Sequence, residues 1–289
     1  MTLLPWSHES SAGFTLRGWH SPPSGKPLLH FIHGNGFCTR TYEPMLARLA
    51  EDFDLWLCDI QGHGDSDHGG DFRGWNRNAE LAVEAFNVGR ERFGSVPRYA
   101  CGHSFGGVLT SLIMAAHPSL FERAVLLDPV LFPPRQIILR SLFDWATRNP
   151  IAESARRRRT HWQDREDAFA RLKGRGIFQG WQEDALRAHV EHALVEEPGQ
   201  GVRLKCQPSR EAEIFESMPR GLWRSLKQIS VPVRVIHGDR TYPFVSQSAV
   251  RLARVNRQAS VAALPGGHCF MQENSQLAAE RVREFLLGD

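Results

Sequence analysis

The most informative segment of this 289-residue chain is Gly102-His-Ser-Phe-Gly-Gly107. It contains the pattern Gly-x-Ser-x-Gly with Ser104 at its centre, and a short apolar run from Arg98 to Gly102 precedes it. A helical pattern from Gly106 to Ala116 follows it. A strand-to-helix turn this sharp needs glycines, because side chains on either side of the serine would clash. We therefore predict a turn that lifts the Ser104 hydroxyl to the edge of a sheet, beside a helix N-terminus that favours developing negative charge.

Short apolar runs alternate with longer helical patterns on both sides of this segment. Most of the runs are continuous, which is typical of strands that are buried on both faces of a parallel sheet. We predict strands near residues 28–32, 55–60, 99–102, 124–127, 231–236 and 261–264, and an antiparallel edge hairpin near 14–20. Helices are predicted near residues 41–50, 77–93, 105–116, 244–254 and 275–287. The predicted fold class is α/β, with a mostly parallel central sheet flanked by helices.

One long stretch interrupts this alternation. Between residues 131 and 226 there is no convincing strand run, and the candidate helices cover residues 137–147, 155–173, 182–194 and 210–217. We predict an α/β core formed by residues 1–130 and 227–289, with a helical cap inserted at residues 131–226. Aromatic residues of this stretch are candidates for an apolar pocket lining above Ser104, and they include Phe143, Trp145, Phe169, Phe178, Trp181 and Trp223.

Composition and charge exclude several classes of protein. Hydrophobic residues make up 42% of the chain and charged residues 23%, which is ordinary for a folded globular protein. The net charge of +3 is too small to imply an acidic partner. The basic run Arg156–Arg159 is followed by acidic residues on the same predicted helix, so we expect a solvated surface and no nucleic-acid binding.

The sequence also carries expectations about compartment. No window approaches the roughly 20 apolar residues that a membrane helix requires, so no membrane association is predicted. The N-terminus lacks the features of a signal peptide. The five cysteines are scattered without a C-x-x-C pair, which favours reduced thiols. We expect a cytoplasmic protein, and the sequence makes no prediction about its oligomeric state.

Four motifs together resemble the α/β-hydrolase superfamily, in its branch with a serine nucleophile. They are the Ser104 segment, His33-Gly-Asn-Gly36, Asp59-Ile-Gln-Gly-His-Gly-Asp-Ser66 and Gly266-Gly-His268. The resemblance covers nearly all of the chain outside the predicted cap, and it is specific for the superfamily but not for a substrate. It implies that Ser104 is the nucleophile. It also implies that His268, on a turn between the last predicted strand and the C-terminal helix, is the general base.

The same resemblance implies an oxyanion hole made of two backbone amides. One amide belongs to the residue after the nucleophile, which here is Phe105. The other belongs to the loop after an earlier strand, where Asn35 is the candidate. His33 and His103 flank these motifs and are expected to brace the site.

Two carboxylates are candidates for the acid that orients the base. The preferred one is Asp239 in His237-Gly-Asp-Arg-Thr-Tyr-Pro243, because its spacing to the proline matches that of relatives. Many relatives place the acid three residues after the glycine, however, and Thr241 stands there. The alternative is Asp128 in Leu126-Leu-Asp-Pro-Val130, since some lipases of this fold take the acid from the end of the preceding strand.

No metal or other cofactor is predicted. Asp59, His63 and Asp65 lie close together in sequence, with His33 nearby, but their spacing matches no known zinc motif. Asp59 is instead expected to hold its own glycine-rich loop.

The predicted function is hydrolysis of an ester-like bond through an acyl-enzyme, with a small, largely apolar molecule as substrate. A carboxylesterase is the default interpretation, and lactonase, thioesterase or amidase activity would use the same groups. A carbon–carbon bond hydrolase, an acyltransferase and a small-molecule receptor on the same fold are the alternatives.

Overall fold

The computed structural model describes residues 1–135, 137 and 149–288. The predicted helix at 137–147, which contains Phe143 and Trp145, lies outside the described residues apart from its first position. Helices and strands below are numbered within the described ranges.

Two sheets account for all the strands of the described residues. The strands are β1 (Leu4–Glu9), β2 (Thr15–His20), β3 (Leu28–Ile32), β4 (Asp54–Asp59), β5 (Arg98–His103), β6 (Arg123–Leu127), β7 (His161–Trp162), β8 (Leu194–Glu197), β9 (Gly201–Leu204), β10 (Val233–Gly238) and β11 (Ala259–Leu264). Eight of them form the central sheet in the order β1-β2-β4-β3-β5-β6-β10-β11. The other six strands are parallel, as predicted, and β2 pairs antiparallel with β4 at the sheet edge. The edge hairpin was expected near residues 14–20, but these residues form only β2, and its partner β1 lies earlier in the chain.

Helices cover both faces of the central sheet. They are α1 (Glu43–Leu49), α2 (Trp75–Gly89), α3 (Phe105–Ala116), α4 (Pro150–Arg156), α5 (Arg165–Leu172), α6 (Glu183–His192), α7 (Pro208–Glu216), α8 (Leu222–Gln228), α9 (Pro243–Val255), α10 (Phe270–Glu273) and α11 (Ser275–Leu287). Apolar faces of α2, α3 and α8 pack on one side of the sheet, and those of α1 and α11 pack on the other. The predicted fold class is therefore confirmed.

The register of the parallel strands brings their carboxyl ends to one edge of the sheet. Ile32 of β3 pairs with Gly102 of β5, which in turn pairs with Leu126 of β6. Gly238 at the end of β10 pairs with Leu264 at the end of β11. The loops that follow these strands therefore meet at this edge, which is where ligands bind in sheets of this type.

The stretch predicted to be wholly helical also contains a second, smaller sheet. Strands β7, β9 and β8 form it, all antiparallel, and β7 divides the predicted helix 155–173 into α4 and α5. The insertion, predicted as a helical cap, therefore contains strands as well as helices among its described residues. The predicted domain boundary between residues 226 and 227 falls inside α8, which packs against α3 of the core.

A buried arginine fastens this insertion to the core. Arg210 of α7 is completely buried, and its Nη2 donates to the carbonyl oxygens of His68, at 2.8 Å, and Gly70. Its Nη1 donates to Glu213 at 2.6 Å. Because His68 and Gly70 belong to the loop after β4, these contacts hold α7 at the carboxyl edge of the central sheet.

Two further expectations concern the whole chain. All five cysteines are buried and carry free thiols. Within the described ranges, no helix has both the length and the apolar character needed to cross a bilayer.

Candidate active site

Ser104 lies in a strained turn between β5 and α3. Its φ of 53° and ψ of −112° are rare for any residue but glycine. The flanking glycines have no room for a side chain, since a Cβ on Gly102 would lie 2.4 Å from the carbonyl oxygen of Gly106. A Cβ on Gly106 would lie 2.3 Å from the carbonyl oxygen of Ile32. The turn therefore packs the nucleophile segment directly against the end of β3.

His268 reaches Ser104 from the loop after β11. Its Nε2 lies 2.9 Å from the Ser104 hydroxyl oxygen, which is hydrogen-bond distance. Ser104 is 8% exposed and the His268 side chain 13% exposed, so small molecules have a narrow approach to both. The structure thus brings together the two residues that the sequence singled out as nucleophile and base.

Asp128 is the carboxylate that contacts the histidine. Its Oδ2 lies 2.6 Å from His268 Nδ1 and accepts a second hydrogen bond from the Thr241 hydroxyl at 2.5 Å. Its Oδ1 accepts from the Gly238 amide at 2.8 Å. Asp128 is fully buried directly after β6, with a φ of 43°. Three donors therefore hold this carboxylate, and with it the histidine ring.

Asp239, the preferred candidate from the sequence, does not contact His268, and that assignment is wrong. Its backbone amide donates to Leu264 at 2.8 Å, so that Asp239 continues the pairing of β10 with β11. Its half-exposed carboxylate accepts from the Gly266 amide at 2.9 Å. Asp239 therefore stabilises the turn that precedes the histidine, two positions before the residue, Thr241, that reaches Asp128.

The direction of the Asn35 backbone N–H is set by the peptide group that joins Gly34 to Asn35. The Gly34 carbonyl accepts from His33 Nδ1 at 2.8 Å and from the Phe37 amide at 3.2 Å. A trans peptide points its N–H away from its carbonyl, so the Asn35 N–H faces away from these two donors. No described residue accepts a hydrogen bond from it. The amide of Phe105, at the first position of α3, has no acceptor within its helix.

The Asn35 side chain connects this turn to the insertion. Its Nδ2 donates to the Glu211 carbonyl of α7 at 3.1 Å. His63 supports the next residue, because its Nε2 accepts from the Gly36 amide at 3.1 Å while its Nδ1 contacts the Gln61 carbonyl. Burial lowers the pKa of His63 well below its usual value, so this ring is neutral. Nothing in the sequence around His63 indicates this supporting role.

The loop after β4 carries several side chains of the kinds that bind metals, but hydrogen bonds to the backbone hold these side chains. Asp59 Oδ1 accepts from the Thr39 amide and hydroxyl, both at 2.8 Å, and Oδ2 accepts from the Asp65 amide at 3.2 Å. Burial raises the pKa of Asp59 above its usual value. His33 Nε2 accepts from the Ile60 amide at 3.0 Å. Within the part of the chain that the structure describes, no group of three or more His, Cys, Asp or Glu side chains is placed to hold a metal ion.

A row of aromatic rings extends from His268 to Phe105, the residue after Ser104. The rings follow one another at centroid distances of 4.7–6.3 Å, in the order His268, Tyr242, Phe244, Phe132, Trp75, Phe105. We call Tyr242, Phe244, Phe132 and Trp75 the aromatic arc. Tyr242 is 50% exposed, Phe244 and Phe132 are partly exposed, and Trp75 is buried. The site is therefore bordered on one side by apolar surface.

A serine in a strained strand-to-helix turn, at the carboxyl edge of a mostly parallel sheet, defines the α/β hydrolases as a class. The chain belongs to the alpha/beta hydrolase family, which its sequence matches over residues 31–281. It is a hydrolase by family and by the names of its relatives.

Relatives with known names are distant in sequence. A 2-(acetamidomethylene)succinate hydrolase of Mesorhizobium japonicum is 22% identical over 267 residues, which cover 90% of this chain and 88% of that protein. A serine hydrolase-like protein of Danio rerio is 30% identical over 141 residues, covering 46% of this chain and 38% of that protein. Among solved structures, the peroxisomal α/β-hydrolase Lpx1 of Saccharomyces cerevisiae aligns with a TM-score of 0.79 at 19% identity, over 100% of this chain and 89% of that one. These similarities show the shared fold.

Proposed function

We propose that this protein is a serine hydrolase that cleaves an ester-like bond of a small, largely apolar molecule through an acyl-enzyme. The observation that carries the proposal is the line of contacts Ser104–His268–Asp128, at 2.9 Å and 2.6 Å. A serine hydroxyl is a weak nucleophile by itself and needs a neighbouring base that a third group orients. These three side chains meet that requirement.

The proposed reaction begins with proton transfer. His268 Nε2 takes the proton of Ser104 as the serine oxygen attacks the acyl carbon, and Asp128 stabilises the resulting imidazolium. The carbonyl oxygen becomes an oxyanion that accepts hydrogen bonds from the backbone amides of Asn35 and Phe105. His268 then gives the proton to the leaving oxygen, and the alcohol departs. Water attacks the acyl-enzyme, losing a proton to the same histidine, and Ser104 recovers its proton as the acid leaves.

The aromatic arc supports an apolar substrate. Three of its four rings are partly or half exposed, and its first ring lies beside the proposed base. Small-molecule sites are typically apolar clefts with a few polar groups that fix orientation. An acyl or alcohol group of hydrocarbon character would therefore gain contact area along the arc without leaving a buried charge unpaired.

The test uses p-nitrophenyl esters from acetate to laurate. A matched p-nitroanilide is included because one relative is named for a substrate that carries an acetamido group. We expect ester turnover in the wild type and its loss in Ser104→Ala. A fluorophosphonate probe should phosphonylate Ser104 of the wild type with loss of fluoride, an adduct that mass spectrometry detects. Ser111→Ala is the control, since Ser111 lies on α3 and its hydroxyl bonds only to the Gly107 carbonyl at 2.8 Å. Unchanged turnover in Ser104→Ala would refute the proposal.

A further inference from the structure

We propose that Tyr42 and His103 are positioning residues, forming a buried hydrogen-bonded bridge that couples the turn of Asn35 to the loop of His268. This inference rests on the proposed function, because it assigns the bridge the task of fixing an oxyanion donor and the base relative to each other. Neither side chain forms a hydrogen bond to a reacting atom in the proposed mechanism, although the His103 ring lies beside the His268 ring, with centroids 4.9 Å apart.

The bridge consists of three consecutive contacts. The Gly34 amide donates to the Tyr42 hydroxyl oxygen at 3.0 Å. The same hydroxyl lies 2.6 Å from His103 Nδ1. On the other side of the ring, His103 Nε2 lies 3.0 Å from the His268 carbonyl oxygen. Tyr42 and His103 are both fully buried, so water does not compete for these contacts.

Only one arrangement of protons satisfies every group of the bridge. A carbonyl oxygen can only accept, so His103 Nε2 must carry the hydrogen that points at His268. Burial lowers the pKa of His103 well below its usual value, which keeps the ring neutral and leaves Nδ1 as an acceptor. Burial raises the pKa of Tyr42, so its hydroxyl stays protonated and donates to that nitrogen. All donors therefore point in one direction, from Gly34 to His268.

The sequence positions of the bridged residues explain what the bridge controls. Gly34 immediately precedes Asn35, and His103 immediately precedes Ser104. The packing between them is tight, because a Cβ on Gly34 would lie 2.7 Å from His103 Nδ1 and 3.2 Å from the Tyr42 hydroxyl. One rigid unit therefore contacts the neighbours of a proposed oxyanion donor and of the nucleophile, as well as the backbone of the base.

Such a unit matters because Asn35 and His268 lie in loops, whereas strands would fix them directly. A misplacement of about 1 Å at reacting groups can cost roughly 100-fold in rate. A coupling that fixes both loops should therefore act on kcat and leave substrate binding nearly unchanged.

The test compares two variants that interrupt the bridge at different contacts. Tyr42→Phe keeps the ring and removes the hydroxyl. His103→Asn places an amide near the position of Nδ1, so that it keeps the contact to Tyr42 and does not reach the His268 carbonyl. We expect each variant to lower kcat for a p-nitrophenyl ester about tenfold, with KM within about twofold of wild type.

The double variant decides whether the two residues act as one unit. If they do, Tyr42→Phe with His103→Asn has a kcat close to that of the more damaged single variant, because a bridge already broken has no further coupling to lose. Multiplied losses, a kcat within twofold of wild type in Tyr42→Phe, or a loss that lies only in KM would each overturn the proposal.

A control separates coupling from a general loss of stability. Ser10→Ala removes one buried hydroxyl, which donates to the Phe14 carbonyl at 2.6 Å in the edge hairpin, and is expected to leave kcat unchanged. Thermal unfolding of every variant is measured alongside. An inactive Ser104→Ala together with a fully active Tyr42→Phe would refute the bridge and leave the proposed serine chemistry standing.

Discussion

Asp128 and Asp239 differ in what surrounds their carboxylates, and the difference predicts their mutational effects. Asp128 is buried against His268, whereas Asp239 is half-exposed and bonds to a backbone amide. We expect Asp128→Asn to lower kcat about 10⁴-fold, because an amide favours the wrong tautomer of the histidine. Asp239→Asn should keep near-normal kcat in the same ester assay. Equal losses in the two variants would contradict the assignment of Asp128.

Thr241 offers a second test, because it stands where many relatives carry their acid. Its hydroxyl lies 2.5 Å from Asp128 Oδ2, so an Asp at 241 would bring a carboxylate close to the same place. In an Asp128→Asn background we expect Thr241→Asp to recover about tenfold or more in kcat, since it restores a negative charge near His268. Thr241→Asn in that background is the matched control, and equal recovery by both would contradict this explanation.

Local sequence patterns were enough to single out Ser104 and His268, which the structure brings into contact, whereas the carboxylate beside His268 is Asp128, which was only the alternative candidate. Ser104 has a strand before it, a helix after it and glycines on both sides, all visible in the sequence. The choice between Asp128 and Asp239 depends on which strand end faces His268 across the sheet. Spacing along the chain does not contain that information. The available sign was Thr241 itself, an uncharged residue at the usual position of the acid.

At the level of helices and strands, the contacts of Arg210 lead to a prediction about how strongly the insertion is attached to the core. Its buried guanidinium bonds to His68, Gly70 and Glu213. Arg210→Met keeps much of the volume but removes the hydrogen bonds from the buried guanidinium to the carbonyls of His68 and Gly70, and hydrogen bonds that involve a charged group contribute roughly 1.5–3 kcal/mol each. We expect the free energy of unfolding to fall by at least that amount in urea titrations. We also expect lower kcat/KM, because the Glu211 carbonyl of the same helix α7 accepts a hydrogen bond from the Asn35 side chain.

Arg171→Met is the control for this prediction. Arg171 forms an exposed ion pair with Asp167 on α5, and pairs of this kind contribute about 0–1 kcal/mol. A stability loss in Arg210→Met no larger than that of the control would show that α7 is held by other contacts.

The six parallel strands of the central sheet could be predicted because each contains a short apolar run, whereas the edge strand β1, Leu-Pro-Trp-Ser-His-Glu, has no such run and was missed. The strands of the small sheet could not be predicted, for physical reasons. Strands β8 and β9 have four residues each and contain Glu196, Glu197 and Arg203, so they lack an apolar run. Strand β7 has only two residues. Such strands are defined by pairing with each other, and the charged helical patterns around them concealed the break between α4 and α5.

For the whole molecule, the buried histidines lead to a prediction about how the free energy of unfolding depends on pH. His30 of β3 packs against the rings of Phe86 and Phe121, at centroid distances of 5.0 Å and 5.5 Å, and neither of its ring nitrogens has a partner among the described residues. Burial lowers the pKa of His30 to about 3. Below about pH 6.5 the unfolded chain binds a proton that the folded chain does not, so stability falls as the pH falls.

We expect His30 to account for up to about 3 kcal/mol of lost unfolding free energy between pH 7 and pH 4. His30→Leu should therefore flatten the pH dependence measured by urea unfolding across this range. Phe53→Leu is the control, because it alters the buried core on the other side of the sheet without changing a titratable group or the surroundings of His30, and it should keep the wild-type slope. An unchanged slope in His30→Leu would show that the acid sensitivity originates elsewhere.

The backbone of Ser104 has a further consequence for how this protein could be improved. Its φ of 53° suits glycine, so the proposed nucleophile occupies a position where a residue without a side chain would relax the fold. Heat tolerance and turnover are therefore opposed at this position. A laboratory selection that rewards only survival at high temperature would tend to discard the nucleophile, so such a campaign must score product formation in every round.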